Sequence, residues 1–201
     1  MFGESAGGNL ATALSIQLNR MGIQPGMYHI CCCVPPCTAR RRRRRACSLH
    51  GGGRLAADRL VLAYPALNLN STPSPSRFFH LSDPLVPTAA LLPGCARAYV
   101  PLHLRDKAVR DPLMCPLFAG DEELCHLPPT FLSTGGCDPL LDDVVEFDAR
   151  LRRLRIPGEL QVHRSLPHGF FMLKPFLADA STAIDGILEW IRTTPSHEPV
   201  A

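Results

Sequence analysis

From Thr130 onward the chain switches its hydrophobic period repeatedly, and that alternation constrains the fold more than any other feature. Thr130 to Thr134 reads as a short apolar strand ending at Gly135-Gly136. Leu140 to Arg155 then places Leu141, Val144, Phe147, Leu151 and Leu154 on one helical face before Pro157-Gly158 breaks it. Leu160 to Val162 reads as a second short strand, and Ala178 to Ile191 as a final helix with Ile184, Ile187, Leu188 and Ile191 inward. Upstream, Arg59 to Tyr64 is an apolar run stopped by Pro65, which fits a buried strand. Strands alternating with helices imply parallel pairing, so the expected class is α/β, a mostly parallel sheet flanked by helices.

The pattern divides the chain into four stretches. Residues 1–23 hold a helix beginning directly after Ser5, marked by Leu10, Leu14, Leu18 and Met21 and closed by Gly22, with no strand expected in front of it. Residues 24–57 lose all periodicity: Pro25-Gly26, Cys31-Cys32-Cys33, Pro35-Pro36, the run Arg40 to Arg45 and Gly51-Gly52-Gly53 read as a disordered low-complexity insertion. Residues 58–194 carry the remainder of the α/β domain, including a helix around Pro87 to Tyr99, and 195–201 form a tail.

Charge and cysteine usage narrow the functional classes. The net +3 is set by Lys+Arg 21 against Asp+Glu 18, and the arginine run supplies the excess, leaving the rest mildly acidic. A nucleic-acid binder spreads basic residues over a folded face, so no specific nucleic-acid partner is expected. The nine cysteines are an odd count with no secretory leader in front of them, which reads as reduced thiols in a cytoplasmic protein. Cys33, Cys37, Cys47 and His50 superficially match zinc spacing but have no strand or helix signals around them, and no metal is expected. No apolar run approaches the roughly 18 residues needed to span a bilayer, although adsorption to a lipid surface stays open. Oligomeric state is not legible.

Three short motifs carry chemistry. Gly3-Glu4-Ser5-Ala6-Gly7 is a G-x-S-x-G pattern; a serine hydroxyl is a poor nucleophile until held exposed on a sharp turn beside a base. The helix after Ser5 aims its first free N–H groups, that of Ala6 first, at the place where an oxyanion would develop. Asp138 lies just past a strand end in Cys137-Asp138-Pro139-Leu140-Leu141-Asp142-Asp143; capping of the next helix is the plainer reading of it, but orientation of a histidine is assigned to Asp138 and stabilisation of the positive helix end to Asp142 and Asp143. His168, in Leu166-Pro167-His168-Gly169-Phe170, is the histidine at a strand exit between a proline and a glycine, whereas His163 sits on the strand and reads as structural. Ser, then Asp, then His is one of the chain orders of serine hydrolases.

Taken together, Gly3 to Asn9, Asp138 to Asp142 and His168 to Phe170 resemble the G-[DE]-S-A-G-G-N, D-P-L-x-D and H-G-F elements of the hormone-sensitive lipase family of α/β hydrolases. Ala63-Tyr64-Pro65, Ser74-Pro75-Ser76-Arg77, Asp83-Pro84-Leu85 and Leu127-Pro128-Pro129 are similar to it too, and DPLLDD paired with LPHGF is most like the lipase that gives the family its name. The resemblance covers Met1 to about Met21 and about Arg59 to Arg192 and corresponds to the C-terminal part of the family's fold, with its N-terminal strands missing. It implies hydrolysis of small-molecule or lipid carboxylic esters by Ser5, His168 and Asp138, without metal or organic cofactor.

Members of that family also build the oxyanion hole from an upstream His-Gly-Gly-Gly. Here His50-Gly51-Gly52-Gly53 follows the serine and reads as a decoy. The expectation is therefore a fragment, impaired in catalysis, in which the strand at Leu60 to Ala63 is an unpaired apolar edge. Two alternatives stand beside the esterase: a non-catalytic ligand-binding relative, as in the gibberellin receptors, which replace the histidine retained here as His168, and an inactive fragment whose arginine run contacts an anionic partner.

Overall fold

The computed structural model describes residues 1–22, 58–70, 72–81, 88–108 and 110–194. The expected insertion at 24–57, with its arginine run, zinc-like spacing and His50-Gly51-Gly52-Gly53, lies outside the described residues, as do Asp83-Pro84-Leu85 and the tail at 195–201.

The chain forms a four-stranded sheet of order β1-β2-β3-β4, parallel throughout, from β1 (Phe2–Glu4), β2 (Leu60–Ala63), β3 (Thr130–Cys137) and β4 (Gly158–Pro167). Three helices dominate the layers: α1 (Ala6–Arg20) after β1, α6 (Leu141–Arg153) between β3 and β4, and α7 (Ala178–Thr193) after β4. Among the described residues the long β2-to-β3 connection holds the helices α2 (Pro75–Phe79), α3 (Thr88–Tyr99), α4 (Arg105–Ala108) and α5 (Asp121–Leu124). The side-chain alternation of a strand sorts the core. Leu60, Leu62 and Leu132 face α1 and α6, meeting Ala11, Ile16, Val144, Phe147 and Leu151. Val61 and Phe131 face α7 with Ile187 and Trp190, and Ala63 meets Ala180 and Ala183. A sheet covered on both faces is why β2 reads as an unbroken apolar run.

Four expectations need correction. A strand does precede Ser5: Phe2–Glu4 pairs in parallel with Val61–Ala63. At three residues, with only Gly3 buried, it is too short to show a period, and its partner lies far along the chain. The strand at Leu60 to Ala63 is not an edge, because β1 and β3 flank it. In α7 the inward face is Ala180, Ala183, Ile187 and Trp190, while Leu188 and Ile191 are exposed; small residues set the phase that the larger ones suggested wrongly. β4 is ten residues long, not three, since its Glu159 and Arg164 stay exposed and hide it from an apolar count.

The first helix also buries an unexpected face. α1 packs Gly8, Ala11, Thr12, Ser15 and Ile16 inward, whereas Leu10 and Met21 are exposed. Small inward residues bring the helix close to β1 and β2. A Cβ on Gly3 would lie 2.3 Å from the Gly7 carbonyl oxygen, and one on Gly8 would lie 2.7 Å from Pro65 Cβ. The second glycine of G-x-S-x-G is not the crowded one: a Cβ on Gly7 meets nothing within 4 Å.

Candidate active site

Parallel strands place all their carboxyl ends on one rim of the sheet, where functional groups of such folds gather. Ser5 follows β1, Asp138 follows β3 and His168 follows β4, so three segments distant in sequence converge. Ser5 Oγ lies 2.9 Å from His168 Nε2, across 163 residues of chain. His168 Nδ1 lies 2.9 Å from Asp138 Oδ2. With its proton on Nδ1, the imidazole donates to the carboxylate and accepts from the serine hydroxyl, which satisfies both contacts at once.

Each member is held locally. Ser5 sits at φ 48°, in the left-handed region that a non-glycine residue rarely occupies. Its amide donates to Ala63 O at 3.0 Å, and its carbonyl accepts from Ala66 at 3.0 Å and from Gly8 and Asn9 in the first turn of α1. The turn after β2 thus clamps Ser5 from both sides of its Cα. Asn9, 3% exposed, adds donations from Nδ2 to Ala66 O and Met114 O, both at 2.8 Å. Ala6 opens α1, and the N–H groups of a first helical turn have no partner within the helix.

Asp138 is fully buried and uses both oxygens: Oδ1 accepts from the Leu140 amide at 2.8 Å, Oδ2 faces His168. Asp138 thus contacts His168 and closes a turn on the Leu140 amide, whereas the reading of it as the cap of α6 needs correction, because the N-cap there is Leu140 and no side chain caps the helix. His168 is 12% exposed on its side chain, followed by Gly169 at φ 72°, which lets the chain turn sharply into Phe170. The neighbouring aspartates are occupied elsewhere. Asp142 accepts from the Ser76 amide at 2.7 Å, and Asp143 pairs with Arg77 at 2.5 Å, anchoring α2 to the start of α6.

His163 is apart from this cluster, as its place on the strand suggested. Its Nε2 lies 3.0 Å from Ser133 Oγ, and burial holds the imidazole below its ordinary value, favouring the neutral form. Asn9, Arg77 and Tyr64 are contacts the sequence reading passed over as single residues. Arg77 had one visible sign, its place in a Ser-Pro-Ser-Arg stretch where Ser74 caps α2 with its hydroxyl. Among the described residues no group of three or more His, Cys, Asp or Glu is disposed to hold a metal ion. No described helix is long and apolar enough to cross a membrane.

Comparison with known proteins follows the same lines. A family model described as alpha/beta hydrolase fold matches residues 1–172. Hormone-sensitive lipase of Mus musculus is 38% identical over 104 residues, covering 51% of this chain and 14% of the lipase. An esterase of Acinetobacter venetianus is 26% identical over 189 residues, covering 94% of this chain and 50% of that protein. Among solved structures, an esterase of Pyrobaculum calidifontis superposes with TM-score 0.72 at 25% identity, covering 96% of this chain and 51% of the esterase. The chain therefore spans about half the length of these relatives, or less. With a parallel sheet, a serine on the turn from β1 into α1 and a family match over most of its length, the chain belongs to the alpha/beta hydrolases and is similar, within them, to hormone-sensitive lipase.

Proposed function

We propose that the chain is a serine-dependent carboxylic ester hydrolase, an esterase or lipase acting through an acyl-enzyme on small-molecule or lipid esters. The observation that carries this reading is the continuous link from Ser5 through His168 to buried Asp138, with both hydrogen bonds at 2.9 Å. In the reaction Ser5 Oγ attacks the ester carbonyl while His168 Nε2 takes its proton. The resulting imidazolium is held by Asp138, which fixes the tautomer and stays ionised. His168 then returns the proton to the leaving alcohol, and water, activated by the same nitrogen, releases the acid. The Ala6 amide supports the oxyanion at the positive end of α1.

The names of the relatives, a lipase and esterases, support this chemistry. Cys95, Cys115, Cys125 and Cys137 are free thiols, consistent with a cytoplasmic setting. A ligand-binding role without catalysis is less well supported, because it leaves the Ser5–His168 contact without a purpose.

A fluorophosphonate probe tests the reading. The 201-residue chain is expected to be labelled on Ser5 and to hydrolyse p-nitrophenyl esters, with both activities lost in Ser5→Ala. A folded chain that neither labels nor turns over any ester of a graded acyl series would overturn it.

A further inference from the structure

Each strand of the sheet hands over to one residue at its carboxyl end: Glu4 to Ser5, Ala63 to Tyr64, Cys137 to Asp138 and Pro167 to His168. Three of these form the proposed triad. Tyr64, the fourth, has no part in it, yet its conformation is as unusual as that of Ser5. Its φ is 38°, a left-handed backbone that a bulky residue rarely adopts. Pro65 behind it favours extended backbone instead, which adds to the conflict. Glycine would relieve the backbone here. A tyrosine is held in place by what its side chain touches.

That side chain is 2% exposed and reaches two members of the site. Its hydroxyl donates to Glu4 Oε2 at 2.5 Å, one residue before the nucleophile. Its ring meets the His168 imidazole edge-on, with centroids 5.1 Å apart and planes at 65°. Phe170 and Phe171, just past the histidine, pack on the same ring at 4.8 and 5.3 Å. The Tyr64 amide donates to Ser133 O, tying the residue to β3. Burial first, then the bond to Glu4, keeps the phenol far above its ordinary value, so the hydroxyl stays a donor at any working pH.

We propose that Tyr64 is a positioning residue: through its hydroxyl on Glu4 and its ring edge on His168 it keeps the serine turn and the histidine loop in register. The inference rests on the Ser5–His168–Asp138 reading, and its test is separable from that reading. Tyr64→Phe keeps the ring and removes the hydroxyl; Glu4→Ala removes the acceptor from an exposed position and serves if the tyrosine variant does not fold. Each is expected to lower kcat for a p-nitrophenyl ester about tenfold with KM within about twofold, since small misplacement acts on the transition state. The double variant is expected to lose no more than either single one, because both break the same bond.

A second readout does not depend on turnover. The downfield proton resonance of His168 Nδ1–H, bonded to Asp138, is expected in the parent chain and broadened in both variants. Unchanged kcat, a change confined to KM, or a lowered melting midpoint with kcat and resonance intact would each overturn the positioning role. If the parent chain shows no hydrolysis or labelling, the esterase reading fails, and the resonance alone decides whether Tyr64 orders the histidine.

Discussion

Arg77, in the connection that joins β2 to β3, and Asp143, in α6, form an ion pair at 2.5 Å with side chains only 9% and 6% exposed. Arg77 also donates to the carbonyl oxygens of Asn68, Asn70 and Thr72, so one guanidinium ties the loop after β2 to the first turn of α6. That turn begins three residues after Asp138.

Breaking this pair is expected to be costly, and in a pH-dependent way. Burial pushes the Asp143 carboxyl up to about 6, against the pull of Arg77. A carboxyl raised above its unfolded value binds a proton more tightly when folded, so its ionisation weakens the native state as pH rises from about 4 through 6. Arg77→Ala leaves that charge buried and unpaired, at an expected cost of about 3–5 kcal/mol at pH 7.5. The loss is expected to shrink at pH 5, where the carboxyl takes up a proton instead. Urea denaturation of parent and variant at the two pH values checks the sign.

Asp138→Asn separates the two tasks of a single carboxylate. Asparagine can keep its Oδ1 on the Leu140 amide, so the fold is expected to survive. Its other terminus becomes an NH2 facing His168 Nδ1, which forces the imidazole proton onto Nε2, against Ser5. A fall in kcat of about four orders of magnitude is expected with little change in melting temperature. Stopped-assay kinetics alongside calorimetry would show it.

The two glycines of the serine turn are expected to differ in opposite directions. Gly3→Ala drives a methyl group into the Gly7 carbonyl oxygen and is expected to destabilise by about 1–3 kcal/mol. Gly7→Ala meets open space inside a helix and is expected to stabilise by up to about 1 kcal/mol. Chemical denaturation of the pair decides it, and equal losses at both positions would contradict the packing described.

Legibility in the sequence followed the size of the side chains that report each element. α6 shows itself because Val144, Phe147 and Leu151 are large, buried and correctly spaced. α1 and α7 bury alanine, glycine, serine and threonine beside one or two large residues, so their existence was readable and their inward faces were not. β1 escaped because three residues cannot display a period, and β4 was read only at Leu160 to Val162 because a half-exposed strand keeps its charges. Ser5, Asp138 and His168, which the fold brings into contact, each stand in a short motif at an element boundary, and that is why the sequence drew attention to them. Tyr64 and Asn9 act through partners 57 or more residues away, and nothing local marks those distances.

Most of the sheet is held by long strands, but the serine is carried by its shortest one. Met1 O accepts from Val61, and Phe2, Gly3 and Glu4 pair with residues some 59 positions later. The entropy of closing so long a loop is recovered by three residues of ladder and by the packing of α1. β3 and β4, by contrast, meet across a single helix. The serine proposed as nucleophile therefore follows a three-residue strand whose described strand partner lies 59 positions along the chain, and such a segment tends to assemble late and to open first. Loss of the serine's alignment should then precede loss of the sheet on warming, so that turnover reports partial unfolding before any spectroscopic measure of secondary structure does.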